Sequence, residues 1–247
     1  EQVTFAYPNT QKNAVENVTL EIKQGQTVAL VGGSGGGKST LATLIPRFWD
    51  VQEGAIKIGG IDVRDMSEAD IMNNVSFVFQ NTNLYQMSIL DNVKEGNPTA
   101  SEEEVVKALK LARCEEIIEK LPKGIHEIVG KDGVYLSGGE AQRVAIARAI
   151  LKDAPIILLD EATAFTDPEN EHEIQLAMEE LAKNKTVLMI AHRLSTIQNA
   201  DKIYHIDNSK IIEEGTHKEL LAQKGKYFTM WEEYNKAFLW KECEVAN

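Results

Sequence analysis

The sequence predicts an α/β fold with a mostly parallel sheet, and three observations lead to this class. Apolar runs typical of buried strands alternate with helical segments from about residue 154 onward. A glycine-rich turn joins the strand-like run 27–31 directly to a helix that begins near Lys38. The middle third, residues 81–153, has mostly helical character. These patterns favour one domain with a helical insertion over two domains in series.

Each element follows from the spacing of apolar residues or from a capping signal. Alternating apolar residues over 3–7 and 18–22 predict two short strands before the denser, buried run 27–31. Ser101 and Glu104 have the spacing of a capping box at the start of a helix. Further strands are predicted at 55–63, 75–80, 156–161, 186–192 and 202–207, and helices at 38–48, 101–121, 141–151, 169–184, 216–223 and 226–243. The last helix carries an aromatic stripe that is expected to pack on the domain: Phe228, Trp231, Tyr234 or Asn235, and Phe238.

The composition is ordinary for a folded protein and argues against several functions. The 38 acidic residues outnumber 26 Lys and Arg, which gives a net charge of -12 and a pI near 5.0. Nucleic acid is therefore not expected as a partner, because a phosphate backbone needs a concentrated basic surface. The apolar runs are only a few residues long, so no membrane insertion is expected. Cys114 and Cys243 form no CxxC pair, which predicts a reduced, intracellular chain with buried or idle thiols.

The glycine-rich turn matches GxxxxGK[ST] in its required context, after a strand and before a helix. Glycines let successive backbone N–H groups face phosphate oxygens, and the start of the helix adds positive potential. Lys38 is expected to reach the β and γ phosphates, and the Ser39 hydroxyl to hold Mg²⁺. A flexible glycine linker would leave the Lys-Ser pair unexplained. The motif predicts a P-loop NTPase core whose phosphate-binding residues are Gly32, Gly33, Ser34, Gly35, Gly36, Gly37, Lys38, Ser39 and Thr40.

Two carboxylates close the apolar run 156–159. Ligands of open α/β sheets gather at the carboxyl ends of strands, so Asp160 and Glu161 are expected beside the phosphates. Asp160 suits the Mg²⁺ shell, whereas Glu161, which points elsewhere, suits activation of the attacking water. The alternative is a solvated pair at a strand end, which the neighbouring P-loop disfavours.

The segment LSGGE, residues 136–140, precedes a helical run. Ser137 Oγ and the N–H groups of Gly138 and Gly139 could form a second anion site at the start of that helix. The same residues could serve only as a helix cap, and the segment by itself leaves both interpretations open. Arg143 and Arg148 follow on the same helix, where a solvated or ion-paired face is the default and no catalytic role is assigned.

With these motifs in this order, the chain resembles the nucleotide-binding domain of ATP-binding cassette (ABC) transporters over essentially its whole length. LSGGE is similar to that family's signature motif, which separates it from kinases and small GTPases. The resemblance implies ATP and Mg²⁺ as cofactors and a head-to-tail dimer with a second nucleotide-binding domain. Each ATP would lie between the P-loop of one copy and Ser137, Gly138, Gly139 and Glu140 of the other. ATP hydrolysis would then drive transport across a membrane.

Four further residues match motifs of the family in order. The resemblance implies that Tyr7 stacks on adenine, although an ordinary strand aromatic fits its position equally well. Gln80 would contact Mg²⁺ or the water and sense the membrane domain; without the family, a polar strand-end residue would be the better interpretation. His192 would hydrogen-bond the γ-phosphate and hold the catalytic carboxylate in position. Asp167 would bridge to the partner domain, and it also fits a helix N-cap before Pro168.

The family pattern also predicts how the chain is organised. Residues 1–247 would form one nucleotide-binding domain, with 1–80 and 154–247 as the ATP-binding core and 81–153 as a helical subdomain. The core would include an N-terminal antiparallel β subdomain. Strings such as AHRLSTI are similar to exporters, in which a transmembrane domain precedes this one in the same polypeptide; an N-terminus without Met agrees. The domain would then work at the cytoplasmic face of the inner membrane, and EATAFTDPENE resembles bacterial half-transporters linked to siderophores and iron.

Four positions depart from the commonest pattern. Glu140 replaces a usual glutamine, Lys131 reverses the charge of a usual membrane-domain contact, and Phe165 and Thr166 replace smaller or aliphatic residues.

The rival functions are a non-transport ABC ATPase and an ATP-binding half of a heterodimeric transporter with weak hydrolysis. Because the catalytic carboxylate and histidine are both present, we expect competent hydrolysis.

Overall fold

A computed structural model of the chain describes residues 1–79, 84–130, 133–160, 168–191 and 197–245. The chain divides into two compact units, one of Glu1–Met72 with Leu188–Asn247 and the other of Asn73–Val187. We call them the P-loop unit and the signature unit after the motifs that they carry. The divisions fall inside helix α2 and strand β8, whose bounds follow.

The elements of the P-loop unit are β1 Val3–Phe5, β2 Val15–Val18, β3 Thr27–Val31, α1 Lys38–Leu44, β4 Lys57–Ile58, β5 Ile61–Asp62, α2 Glu68–Asn74, β8 Thr186–Ile190, β9 Lys202–Asp207, β10 Lys210–Gly215, α8 His217–Gln223 and α9 Lys226–Val245. Those of the signature unit are β6 Val75–Val78, α3 Ile89–Lys94, α4 Glu102–Leu111, α5 Glu115–Glu119, α6 Gly138–Lys152, β7 Ile156–Asp160 and α7 Pro168–Ala182.

Strand β3 lies inside the sheet of the P-loop unit, where the order is β10-β9-β3-β8. Its residues 28–31 have no exposed surface, which is the continuous burial expected of a strand covered on both faces. Strand β9 pairs with β3 in parallel, and β10 pairs with β9 antiparallel. Strands β1 with β2 and β4 with β5 form separate antiparallel pairs.

The C-terminal helices complete the core of the P-loop unit. Leu220 of α8 and Tyr227 of α9 are fully buried against residues of β3 and β9. Trp231 and Tyr234 are half-buried and pack on the same cluster, which confirms the expected packing of the stripe for these two residues. Tyr227, which is fully buried, was not part of the predicted stripe.

In the signature unit, the long helix α6 packs against α3, α4 and α7. Strands β6 and β7 pair in parallel, with Val75 opposite Ile156. The parallel pairs of both units confirm the predicted α/β class with a mostly parallel sheet. Helices α3 to α6 lie between β6 and β7 in the chain, and the exact bounds of a helical subdomain at 81–153 stay a prediction.

Some predicted bounds were wrong for identifiable reasons. The chain leaves the β1 pairing after Val18, and the N–H of Glu21 donates to the Tyr204 hydroxyl instead, so 19–22 is not a strand. The helix predicted at 101–121 is interrupted, because Arg113 adopts a left-handed φ of +59° between α4 and α5. Helix α1 ends at Leu44, shortly before Arg47 with its φ of +58°. The region 55–63 forms only the two-residue strands β4 and β5.

Within the described parts of the chain, no helix is both long enough and apolar enough to cross a membrane.

Candidate nucleotide-binding site

The P-loop connects β3 to α1 and packs closely on neighbouring backbone. Gly32 has a φ of +136°, and a Cβ there would overlap the carbonyl oxygen of Ile206 in β9. Gly37 has a φ of +104°, and its Cβ would overlap the carbonyl oxygen of Ala14. Both positions need glycine for conformation and for space. The local sequence therefore forms the tight turn that the motif predicts.

Lys38 is held inside this loop. Its side chain is buried, and Nζ donates to the carbonyl oxygens of Gly32 and Gly33, each at 2.8 Å. Lys38 is also the first residue of α1, whose N-cap is Gly37, so no side chain of the described residues caps this helix. The first turn holds no acidic residue either. The ammonium and the positive end of the helix thus lie together where the motif requires a phosphate.

Four of the other P-loop residues are accessible to a ligand. Gly33, Ser34, Gly35 and Ser39 are exposed, and a Cβ at Gly33 or Gly35 would meet nothing within 4 Å. Gly36 is buried, and its N–H donates to Gly33 O at 3.3 Å. The exposed face of the loop is therefore open, while its other face packs on the sheet.

Tyr7 lies beside the P-loop helix. Its hydroxyl is 3.1 Å from Thr40 Oγ1, and its half-buried ring packs edge-on against Phe5 and Trp49 with centroids 5.0 and 5.5 Å away. The structure thus brings a predicted adenine contact and a predicted phosphate-loop residue together. Trp49, 41% exposed, was missed by the sequence reasoning, because no local periodicity connects it to Tyr7.

The signature segment forms a helix cap in this structure. Ser137 is the N-cap of α6, and its Oγ accepts from the Glu140 N–H at 3.3 Å. Glu140 Oε2 accepts from the Ser137 N–H at 2.8 Å, which completes a capping box. Ser137 and Gly138 are exposed and Gly139 is buried. The cap explains a carboxylate at position 140, and the exposed start of α6 stays available for the predicted anion contact.

Arg143 is not on a solvated face. Its side chain is 1% exposed and donates to Arg113 O at 2.7 Å, to Asn170 Oδ1 at 2.8 Å and to Glu116 Oε1. Of the two expected alternatives, a solvated or an ion-paired side chain, the structure shows the ion pair. This one guanidinium joins the α4–α5 turn, α5 and α7 to the signature helix.

Arg148, five residues further along, is also partly buried. It donates to Asn92 O at 2.8 Å and to Asn92 Oδ1 at 3.1 Å, so it fastens α3 to α6. Burial lowers the pKa of Arg148. Neither arginine could be assigned from spacing alone, because their partners lie 27 or more residues away in the chain.

Asp160 ends strand β7 after three buried residues and is half-buried. Its position at the carboxyl end of a parallel strand is the one predicted for an Mg²⁺ ligand. Four other predicted site residues lie outside the described residues: Gln80, Glu161, Asp167 and His192. The same holds for Lys131, Phe165 and Thr166, so their assigned roles stay predictions.

Residues 15–164, more than half of the chain, match the sequence profile of the ABC transporter family. The chain belongs to this family. The matched segment contains the P-loop, the signature motif and Asp160, which are the features that the structure places at a strand-to-helix turn, a helix start and a strand end.

Relatives align with nearly the whole chain. An ATP-dependent lipid A-core flippase of Methylobacillus flagellatus is 47% identical over 239 residues, which cover 96% of this chain and 40% of that protein. A flippase of the same name from Vibrio cholerae is 49% identical, covering 91% and 39%. A Bacillus subtilis protein named for multidrug export as an ATP-binding/permease protein is 48% identical, covering 92% and 39%. This ABC chain therefore spans about two fifths of the length of these relatives and is similar to an exporter-type nucleotide-binding ATPase domain.

The oxygen donors of this ABC domain suit Mg²⁺. Ser39, which is exposed, follows Lys38 in the first turn of α1, and Asp160 ends β7. Hydroxyl, carboxylate and phosphate oxygens are the ligands that Mg²⁺ takes in P-loop enzymes, in which the protein supplies only a few of them. The residues present therefore fit the cation.

Proposed function

We propose that this ABC domain binds and hydrolyses Mg-ATP as the motor of an exporter-like transporter. The observation that carries the proposal is the P-loop, in which Lys38 is buried within hydrogen-bond distance of the loop carbonyls at an uncapped helix start. An exposed signature segment in the same chain supports an ABC type of site over a general P-loop enzyme.

Each residue has a role in the proposed reaction. Tyr7 stacks on the adenine, and Lys38 with the loop N–H groups binds the β and γ phosphates. Ser39, Asp160 and Gln80 would hold the cation, which would neutralise phosphate charge. Glu161 accepts the proton of the attacking water, and His192 contacts the γ-phosphate and orients that carboxylate. Water adds to the γ-phosphorus as the bond to the β-phosphate oxygen breaks, which leaves ADP and phosphate.

A second nucleotide-binding domain completes each site in this proposal. Ser137 and Gly138 are exposed at the start of α6 and could contact the ATP of a partner in a head-to-tail dimer. Asp167 would bridge the two copies. ATP would hold the dimer together and hydrolysis would release it, which converts phosphate chemistry into movement of attached elements.

The coupling to transport rests on the relatives. They are about two and a half times as long as this chain, and their names include a flippase and a permease. We propose that a transmembrane domain of the same transporter holds this domain at the cytoplasmic face of the inner membrane. We assign no cargo to this chain from the names of the relatives, because the cargo would contact the part of each relative that this chain does not match. The resemblance to siderophore-linked half-transporters stays a prediction.

Steady-state Mg-ATP hydrolysis, measured against protein concentration, tests the proposal. A rate per molecule that rises with concentration is expected if two copies complete the sites. The Glu161→Gln variant should bind ATP, accumulate as a dimer in size-exclusion chromatography and turn over far more slowly. Wild-type turnover in that variant would remove Glu161 from the mechanism. ATP binding without hydrolysis at any concentration would favour an ATP-binding half of a heterodimer.

A further inference from the structure

Glu213 of β10 forms a buried junction between the C-terminal helix and the sheet. Its side chain is 15% exposed, and Oε2 accepts from His205 Nδ1 at 2.9 Å and from the Tyr227 N–H at 2.7 Å. Oε1 accepts from the Lys226 N–H at 2.9 Å. Lys226 and Tyr227 are the first residues of α9, so this carboxylate from another element caps the helix.

The neighbouring Gly225 leaves room for this carboxylate. Residue 225 occupies the position where an N-cap side chain would stand, and a Cβ there would overlap Glu213 Oε1. Burial alone would raise the pKa of Glu213, but the hydrogen bonds from His205 and the Tyr227 N–H outweigh it and keep that pKa below its usual value. The carboxylate is therefore ionised at neutral pH, and Nδ1 of His205 must carry the shared proton.

His205 connects this junction to the P-loop. It lies in β9 opposite Val31, the last residue of β3 before the loop, and its side chain is 7% exposed. Its Cδ2 lies 3.4 Å from the place of a Cβ on Gly32, and the carbonyl of the next residue, Ile206, packs against Gly32 and Gly36. The imidazole thus supports the strand segment on which the first glycine of the loop rests.

We propose that Glu213 and His205 are positioning residues that couple the docking of α9 to the shape of the P-loop. Nucleotide binding weakens when the start of α9 is detached or when either side chain is removed. Neither side chain contacts the nucleotide itself. This inference rests on the proposed function, namely that the P-loop binds ATP. Nucleotide affinity then depends on how the C-terminal helix is docked, so a partner that binds or displaces α9 would change that affinity.

The chain offers a matched control at the same helix start. Lys226 Nζ pairs with Asp207 at 2.7 Å and also joins α9 to β9, but the lysine is 67% exposed, and neither His205 nor Glu213 is a partner in this hydrogen bond. Replacing Lys226 by Gln removes a contact between the same helix start and the neighbouring strand β9, and keeps the Glu213 junction. A general loosening of α9 would affect this variant as well, whereas the proposed coupling would not.

The test is a titration of the full chain with a fluorescent ATP analogue, together with KM and kcat for Mg-ATP. Glu213→Gln and His205→Gln are each expected to raise Kd roughly fivefold to tenfold, with KM raised and kcat nearly unchanged. Lys226→Gln should stay within about twofold of the wild type. Circular dichroism and urea titration confirm that each variant is folded under the assay conditions.

The double variant distinguishes coupling from two separate defects. If both residues act through one path, Glu213→Gln with His205→Gln weakens binding no more than the stronger single variant. Unchanged Kd in the folded His205→Gln variant would overturn the inference, as would an equal effect in Lys226→Gln. If the wild-type chain fails to bind the analogue at all, the proposed function fails instead, which keeps the two conclusions separate.

Discussion

Replacing Arg143 by methionine should destabilise the signature unit by about 3 kcal/mol. Methionine keeps the apolar stem of the side chain but removes every donor of the guanidinium. The carbonyl of Arg113 and Oδ1 of Asn170 then lose a charged donor at 2.7 and 2.8 Å. Because these acceptors belong to the α4–α5 turn and to α7, the substitution loosens both from the signature helix.

The magnitude follows from the partners. Each hydrogen bond from a charged donor contributes about 1.5–3 kcal/mol, so the two neutral acceptors account for roughly 3–6. Glu116 is 58% exposed, so its share of the ion pair adds at most about 1 kcal/mol. Removal of a buried charge offsets a few kcal/mol of this loss. Arg143 Nε is buried with no hydrogen-bond partner among the described residues. This unpaired donor adds to the cost of burying the guanidinium, and its removal therefore contributes to the offset.

Thermal unfolding followed by calorimetry measures the effect. About 3 kcal/mol corresponds to a Tm lowered by roughly 6–12 °C in a chain of this size. Lys110→Met is the control, since it removes an exposed ion pair between Lys110 and Glu115 in the same unit and should cost less than about 1 kcal/mol. Arg143→Lys keeps the charge without the fork and should fall between them. A Tm for Arg143→Met that matches the Lys110→Met control would refute the reasoning.

Three further predictions concern the site and the stability of the chain. Lys38→Ala should weaken ATP binding by at least about 100-fold in a nucleotide titration, because the triphosphate loses its buried cation; unchanged affinity would contradict the P-loop assignment. Ser137→Ala and Ser101→Ala each remove a capping box and should cost about 1 kcal/mol in urea unfolding, but only Ser137→Ala should lower ATPase activity; equal losses of activity would argue against a signature role. Burial raises the pKa of Cys114 from 9.0 to about 12, so the thiol loses its proton at a lower pH in the unfolded chain than in the folded chain. The contribution of Cys114 to the free energy of unfolding should therefore be complete below pH 9 and fall as pH rises toward 12. In a Cys243→Ser background, rapid reaction of the folded chain with a thiol reagent at pH 8 would disprove that burial.

Local patterns carried much of the fold. The capping box of Ser101 and Glu104 is present, and the run 27–31 is a buried strand that enters a glycine-rich turn. These features depend on residues within a few positions of one another, so the sequence contains the whole cause. Strand β10, by contrast, was not predicted, because its residues alternate between half-buried and exposed and gain their place only by pairing with β9.

The predicted site divides in the same way. Lys38 and Ser39 are placed by a contiguous motif, and the structure puts them at the start of α1 as expected. The contact of Tyr7 with Thr40 spans 33 residues, and its ring contact with Trp49 spans more. Such contacts depend on how β1 and α1 pack, which no spacing rule reports.

The sequence by itself determined the chemistry: glycines and a lysine at P-loop spacing, a carboxylate closing an apolar strand, and a serine-glycine helix start. Each of these motifs is contiguous in the chain and can therefore be recognised without knowledge of a distant partner. Only the tertiary structure decided that the Arg143 side chain is buried and joins several elements, and is not a surface charge. It also decided that Glu213 caps α9 and hydrogen-bonds His205, which packs next to the P-loop. The physical reason is that burial and hydrogen-bond partners are set by packing between elements far apart in the chain. The sequence gives the chemical identity of a side chain, but its role depends on these surroundings.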